Sequence, residues 1–366
     1  MASRSAQPQS DARQDVASRH EALPRVVALG GGTGLPNVLR GLRPLLCGSS
    51  AEDTAAGRER LVAIVATSDD GGSSGKLRAE FNVIPPGDIR NCLAALSDNH
   101  SLIADIFQYR FGGGDGLNGH AIGNLVLTAL ADVTNDFPRA VEIAARVVGA
   151  RGTVLPATSE LVTLVAEFED GRVLSGETAI AAAGGRILKV GLIPDRPRVI
   201  PEVCEALMRA DVIVAGPGSL FTSVLPPLLV PEVHTAIRAS RATRILVANL
   251  MTEPGETDDY SVLEHVLTIE RHLGAQLFDF VIYNTSPIPE HLAAVYATNG
   301  ARPILTGTFE LSALDKLGIQ PIGVPLVSEY PEDKIRHHPE RLAAAITALG
   351  QGKLGAFRRP SEAGSH

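Results

Sequence analysis

Hydrophobic and polar positions along the chain follow two alternating patterns. Short apolar runs, each followed by polar or glycine-rich residues, occur at 25–29, 61–67, 211–215, 245–249 and 280–283. Segments with helical periodicity lie between or after them, at about 35–45, 88–97, 101–110, 120–133, 138–148, 230–240, 259–273, 289–297 and 340–349. Buried strands that alternate with amphipathic helices are typical of a parallel sheet covered on both faces. The pattern therefore predicts an α/β fold with a Rossmann-like, mostly parallel sheet.

The middle of the chain has a different pattern, because it is rich in strand-forming residues between about 152 and 193. Candidate strands lie at 153–155, 161–169, 172–179 and 186–193, and Asp170-Gly171 joins the second to the third. We expect an antiparallel β-hairpin region inserted into one domain of residues 25–350. Residues 1–24 and 351–366 are polar and aperiodic, and we predict that both are mobile tails.

Composition removes several classes of function. The formal net charge is −8, and no basic stripe interleaves with aromatic residues, which argues against nucleic acid as a partner. The three cysteines are scattered without CxxC spacing, as in proteins of a reducing compartment. No apolar stretch is long enough to span a bilayer, and the first 24 residues lack the apolar core of a signal peptide. We therefore expect a cytoplasmic protein.

Two glycine-rich segments follow predicted strands and are candidate phosphate-binding loops. The first contains Gly31, Gly32, Thr33 and Gly34, and the second contains Gly216, Gly218, Ser219, Leu220 and Thr222. Glycines let backbone N–H groups approach a phosphate, and a following helix N-terminus favours the negative charge. The first loop is no P-loop, and Leu35 occupies the third glycine position of a dinucleotide fingerprint. Tight packing between strand and helix remains an alternative for the first loop, and a turn with Ser219 as helix cap remains one for the second.

An acidic pair and a hydroxyl-rich run follow the second predicted strand. Asp69 and Asp70 could hold Mg²⁺ beside a phosphate or accept hydrogen bonds from ribose hydroxyls, and Ser73 and Ser74 could assist them. A hydrated turn in which Asp70 or Ser74 caps a helix is the alternative.

Three further groups of polar residues are candidates for ligand binding. Asp88 is placed to be an N-cap, and Arg90 in the same first helical turn is poorly placed for the helix dipole, which suggests that an anion or an acidic neighbour uses it. Asn91 follows in that turn. His120 and Asn124 stand one helical turn apart after a glycine-rich run. Tyr296 and Arg336 are late-chain candidates for stacking on a base and binding a diphosphate.

No nucleophile and base stand in a recognisable arrangement, since GxSxG and HExxH are both absent. The candidate residues therefore predict a site built for binding, with no catalytic residue assigned.

Together these motifs resemble the YvcK-type gluconeogenesis factors of bacteria, a family similar to the 2-phospho-L-lactate transferases. The resemblance runs from about Val26 to Arg336. It rests on Gly30–Leu35, on Asp69-Asp70-Gly71-Gly72-Ser73-Ser74-Gly75, on Pro85–Asn91, on Gly119–Leu125 and on Gly216–Ser223. The Asp-Asp-Gly-Gly-Ser-Ser-Gly run favours the gluconeogenesis factors over the transferases.

The resemblance implies a regulator that binds UDP-N-acetylglucosamine or a related UDP-sugar through the residues named above. It also implies a role in cell shape and cell-wall precursor supply on gluconeogenic carbon. No cofactor is expected to be required, although Mg²⁺ remains possible; a homo-oligomer and a protein partner in cell-wall synthesis are further expectations. Two alternatives stay open: a Mg²⁺-dependent transferase of the phospholactate type, and an NAD-binding oxidoreductase.

Overall fold

A computed structural model describes residues 23–48, 57–98, 101–114, 116–328 and 334–353. The predicted tails at 1–24 and 351–366 lie almost entirely outside these ranges, as does most of the polar insertion at 47–60.

Seven parallel strands form the main sheet. They are β1 (Val26–Gly30), β2 (Leu61–Val65), β3 (Thr153–Pro156), β7 (Val212–Ala215), β8 (Thr243–Val247), β9 (Phe280–Asn284) and β10 (Gln320–Val324). Their spatial order is β10-β9-β8-β7-β1-β2-β3, and each pair of neighbours is parallel. The predicted Rossmann-like sheet is confirmed. The strand order runs in opposite directions on the two sides of β1, so the topological switch point lies between β1 and β7.

Helices cover both faces of this sheet. In chain order they are α1 (Gly34–Leu46), α2 (Gly72–Phe81), α3 (Gly87–Leu96), α4 (Leu102–Gln108), α5 (Ile122–Thr134), α6 (Phe137–Val147), α7 (Glu177–Ala183), α8 (Pro201–Arg209), α9 (Leu225–Leu229), α10 (Pro231–Ala239), α11 (Val262–Leu273), α12 (Glu290–Thr298), α13 (Thr308–Lys316) and α14 (Pro339–Gly350). A π-helical turn, Leu220–Val224, precedes α9.

Alternate residues of β1 show how the two faces are filled. Val26 and Ala28 pack into a core with α1, α3 and α14, whereas Val27 and Leu29 pack into a second core with α8, α10 and α11. Because successive side chains of a strand point to opposite faces, a strand covered on both sides needs a continuous apolar run. All five residues of β1 are buried, as are all five of β2.

The predicted β-rich segment of 152–193 divides between two sheets. Its first strand, β3, joins the main sheet beside β2. The remainder forms a separate antiparallel sheet of β4 (Thr163–Phe168), β5 (Val173–Ser175) and β6 (Ile187–Ile193), in the order β5-β4-β6. The strand predicted at 172–179 is wrong beyond Ser175: Gly176 has φ +96°, and the alanine-rich residues after it form α7.

Four elements had no counterpart in the sequence prediction: α2, α8, α13 and β10. The helix α2 has the sequence GSSGKLRAEF, which has little helical amphipathicity. The strand β10 contains Pro321 and Gly323 and lies at the edge of the sheet, where a missing N–H donor is tolerated.

Within the described ranges, no single helix has the length and apolar composition needed to cross a membrane; one sharply bent pair, Leu220–Leu229 with Pro231–Ala239, meets the requirement by length and composition only.

Candidate functional site

The loop after β1 forms one border of the site at the switch point. Gly32 has φ +59°, and its N–H donates to Asp88 Oδ2 on α3 at 2.7 Å. The prediction that Asp88 is an N-cap is wrong, because Pro86 occupies that position and the Asp88 carboxyl binds the glycine loop. Burial raises the pKa of Asp88 to about 6, partly offset by this N–H bond.

Two glycines of this loop are needed for packing. A Cβ on Gly34 would overlap the carbonyl group of Pro217 in the loop after β7. A Cβ on Gly31 would lie 2.7 Å from Asp88 Oδ2. These glycines let two loops and a helix approach one another, which is the packing alternative weighed for the first loop.

The loop after β7 is held by one amide side chain. Asn249, two residues after β8, accepts from Gly218 N–H at 3.0 Å and donates to Gly218 O at 2.9 Å. Ser219 donates through its hydroxyl to Glu253 Oε1 at 2.9 Å, and Glu253 Oε2 has no hydrogen-bond partner within the described residues. Burial raises the pKa of Glu253.

The rest of the predicted second loop is less accessible. Gly216 has φ +76° and lies close to β8, since an added Cβ would be 2.9 Å from Val247 O. Leu220 and Thr222 are buried in the π-helical turn. Ser219 caps no helix through its side chain.

A crevice of about 620 Å³ lies between the two loops at the carboxyl ends of β1, β7 and β8. From the predicted set, it is lined by Gly32, Thr33, Gly34, Gly218, Ser219, Tyr296 and Arg336. Arg336 Nη1 donates to Thr33 Oγ1 at 3.1 Å, and Tyr296 Oη accepts from Ile335 N–H at 3.3 Å. The late-chain segment thus closes over the first glycine loop.

Asp69 and Asp70 accept hydrogen bonds from different segments of the chain. Asp69 Oδ1 accepts from Gly71 N–H at 2.9 Å, beside the loop that starts α2. Asp70 Oδ1 accepts from both the N–H and the hydroxyl of Thr178 at 2.8 Å, and so fastens the N-terminus of α7. Nowhere in the described ranges do three His, Cys, Asp or Glu side chains stand in a metal-binding group. A metal at Asp69 and Asp70 stays a prediction, and it would need oxygen ligands from a bound molecule.

Six of the predicted residues form a second cluster: Ser73, Ser74, Arg90, His120 and Asn124, which are buried, and Asn91, which is half-buried. Asn124 Nδ2 donates to Ser73 Oγ at 3.0 Å, and Ser73 Oγ lies 3.1 Å from His120 Nδ1. Arg90 Nη2 donates to Asn91 Oδ1 at 2.8 Å. Ser74 is buried where α2 meets α3, because a Cβ on Gly87 would collide with its hydroxyl. These residues do not line the 620 Å³ crevice.

Sequence reasoning did not single out Glu177, Asn249 or Glu253, which also line the crevice. Burial raises the pKa of Glu177 to about 9, and the negative charges of Asp69 and Asp88 raise it further. Asn249 lies two residues beyond the carboxyl end of β8, a position that could have marked it as a candidate. Glu177 reaches the crevice only because the inserted segment folds back, and no local pattern indicates that.

Comparison with known proteins extends over nearly the whole described chain. The family described as 2-phospho-L-lactate transferase CofD matches residues 26–327. The gluconeogenesis factor of Bacillus subtilis is 41% identical over 326 residues, 89% of this chain and 98% of the relative. A putative gluconeogenesis factor of Nostoc sp. is 45% identical over 337 residues, 91% of this chain and 70% of the relative. A crystal structure of a UPF0052-family protein from Bacillus halodurans superposes with a TM-score of 0.81 at 41% identity, covering 88% of this chain and 98% of that one.

Proposed function

This chain belongs to the CofD family, among its gluconeogenesis factors, and from that premise we propose that it binds a UDP-sugar such as UDP-N-acetylglucosamine and acts as a gluconeogenesis factor. The observation that carries the proposal is the crevice at the β1/β7 switch point, which two glycine loops border. Nucleotides bind at this position in open α/β sheets.

The chemistry around the crevice suits a nucleotide diphosphate. Arg336 beside Thr33 supplies a cation next to the N-terminus of α1, where a helix dipole favours negative charge. Tyr296 offers an aromatic face for a base. In the proposed complex the diphosphate lies between the two glycine loops.

On the side of the crevice formed by the segment after β8, acceptor groups suit the sugar hydroxyls. Glu253 Oε2 is buried without a partner, and Asn249 keeps the neighbouring loop in place. A buried carboxyl oxygen without a partner is costly, so a ligand hydroxyl that donates to it would gain binding energy. We assign the ribose or the sugar to this side.

Thermal unfolding with added ligand tests the proposal. UDP-N-acetylglucosamine is expected to raise the melting temperature in a concentration-dependent way, because a ligand bound only to the folded state stabilises it. Arg336→Gln should reduce this shift, whereas Arg238→Gln should not, because Arg238 on α10 is exposed and does not line the crevice. A shift with NAD and none with UDP-N-acetylglucosamine would favour the oxidoreductase alternative instead.

The role in gluconeogenic growth follows the relatives' name, and the rest of the cellular proposal rests on the resemblance to the YvcK-type family. We propose a cytoplasmic regulator of cell shape and cell-wall precursor supply during growth on gluconeogenic carbon, acting as a homo-oligomer with a protein partner in cell-wall synthesis. A strain that lacks the protein should grow normally on glucose and lose its shape on a gluconeogenic carbon source. Complementation by the wild type but not by Arg336→Gln would connect that phenotype to the crevice.

The family match supports a second candidate, a Mg²⁺-dependent transferase of the phospholactate type. Asp69 has one carboxylate oxygen, Oδ2, beside the start of α3, and Glu177 and Asp88 lie within electrostatic range of it. Incubation with Mg²⁺ and UDP-N-acetylglucosamine, with and without phospholactate, tests this candidate by following release of UMP. Turnover that disappears in Asp69→Asn would favour the transferase over the regulator. Recovery of unchanged ligand would support the regulator.

A further inference from the structure

Arg90 is a buried cation with unused hydrogen-bond donors. Its side chain is 95% buried, since only 5% of its surface is exposed. Nη2 donates to Asn91, but Nε and Nη1 have no partner within the described residues. An unpaired buried guanidinium is expensive, because desolvation of a charged group is repaid only by a counter-charge and by hydrogen bonds.

A second arginine lies close enough to make this arrangement worse. Burial lowers the pKa of Arg90 to about 10, and repulsion by Arg110 contributes more than the opposing attraction of Asp88 or of Asp69. Arg110 is exposed, and its Nη1 donates to Gly119 O at 2.5 Å. Arg110 also pairs through its backbone with Ala121, the residue before α5, so that the exposed guanidinium of Arg110 and the buried one of Arg90 both lie near the start of that helix.

The N-terminus of α5 borders the same region. Gly123 in its first turn packs on the stem of Arg90, because an added Cβ would be 2.8 Å from Arg90 Cγ. This helix has 13 residues and no acidic side chain in its first turn. Its dipole thus adds positive potential beside the two arginines.

Asn124 completes the surroundings with another unused group. It is 99% buried, and its Oδ1 has no partner within the described residues, while Nδ2 donates to Ser73. Ser73 also bonds His120 Nδ1. With the amide of Asn124 turned over, Oδ1 would accept from the Ser73 hydroxyl, and Nδ2 would be free to donate to a ligand.

We infer that an oxyanion, a phosphate or carboxylate group of a second ligand, binds between Arg90 and Arg110 at the first turn of α5. Bound there, it accepts hydrogen bonds from the unused Nε and Nη1 of Arg90 and separates the two like charges. Arginine suits such a group because its planar fork matches two oxygens of a phosphate or carboxylate. This position is separate from the crevice, so the protein takes two ligands at once.

Titration of the full-length protein with inorganic phosphate, at constant ionic strength, tests the inference through the melting temperature. Phosphate should stabilise the wild type, and Arg110→Gln should weaken its apparent affinity about tenfold. Arg238→Gln is the control for loss of a surface positive charge and should leave the affinity unchanged. A parallel titration with acetate distinguishes a phosphate from a carboxylate as the preferred group.

The same titration in saturating UDP-N-acetylglucosamine separates the two sites. Phosphate should still stabilise the protein, whereas loss of its effect would mean that it enters the crevice and would overturn the inference. Equal phosphate affinity in the wild type and Arg110→Gln, or no effect of either anion, would overturn it as well. If UDP-N-acetylglucosamine does not bind, the proposed function fails while the phosphate titration still reports on Arg110.

Arg90→Lys, which keeps the positive charge but loses the planar fork of donors, should fold and show weaker phosphate binding.

Discussion

The two glycine loops of the crevice look alike in sequence but are held by different chemistry. The loop after β1 is bound through Gly32 N–H by the carboxyl of Asp88, whose pKa is raised to about 6. The loop after β7 is bound through Gly218 by the neutral amide of Asn249, which satisfies both the N–H and the carbonyl. A titratable group therefore holds one side of the crevice, and a group that does not titrate holds the other. The loops meet where Gly34 touches Pro217.

The largest effect is expected at that contact. Gly34→Val would force a side chain into the Pro217 carbonyl, which belongs to the backbone and cannot rotate away. We expect a loss of at least about 3 kcal/mol in the free energy of unfolding, at the upper end for overpacking. Denaturant unfolding measures this loss.

Gly191→Val is the matched control for that change, because an added Cβ there meets nothing within 4 Å. Equal stabilities of the two variants would show that the loops do not depend on close approach at Gly34.

The amide side of the comparison gives the next largest effect. Asn249→Ala leaves the N–H and the carbonyl of Gly218 without their partner, at a cost of about 1–3 kcal/mol. This loss should be the same at every pH between 4 and 7. Asn299→Ala, which also changes a residue that lines the crevice, should cost little because Asn299 is exposed. A pH-dependent loss in Asn249→Ala would break the distinction between the two loops.

The carboxyl side should respond to pH. The pKa of Asp88 is about 6 in the folded protein against an ordinary value of 3.8, so its ionisation opposes folding. The contribution of Asp88 to stability is therefore most favourable below about pH 4 and is lost as the pH rises to 6. Asp88→Asn keeps an acceptor for Gly32 N–H and removes the charge. The variant should exceed the wild type in stability by roughly 1–2 kcal/mol at pH 7, and the difference should vanish near pH 4.

Denaturant unfolding of both proteins across this pH range measures that difference. A stability difference that stays constant with pH would show that the pKa of Asp88 is not raised in the folded protein. The two loops would then not differ in their dependence on pH.

The elements that the sequence predicted have a local pattern of apolar residues, whereas those that it did not predict depend on contacts with distant parts of the chain. Strands β1 and β2 are buried on both faces, and their continuous apolar runs made them recognisable. By contrast, α2 is stabilised by contacts such as Asn124 with Ser73, which no local pattern reveals. The sequence identifies the glycine loops because each follows a predicted strand. Their packing role was left open, because Pro217 lies about 180 residues from Gly34 and only the fold brings them together.

The site residues divide in a similar way. Residues placed at strand ends, such as Gly32 and Ser219, reach the crevice as predicted from topology. Asp70 also follows a strand, β2, but its carboxylate accepts hydrogen bonds from Thr178 of the inserted segment. The sequence shows which strand a residue follows, while the direction of its side chain depends on what packs against it.

The smallest effect is expected where the late-chain segment meets the β1 loop. Arg336 Nη1 donates to Thr33 Oγ1 at 3.1 Å, a solvent-exposed bond that contributes little to folding. Thr33→Val removes the acceptor while keeping the shape, so stability should change by less than about 0.5 kcal/mol. The affinity for UDP-N-acetylglucosamine should still fall about two- to fivefold, because Arg336 then lacks the contact that holds it at the mouth of the crevice. Thr33→Ser restores the hydroxyl and should restore the affinity, which calorimetric titration would measure. A serine variant as weak as the valine variant would contradict this prediction, because it would show that the hydroxyl and its bond to Arg336 are not enough to restore the affinity.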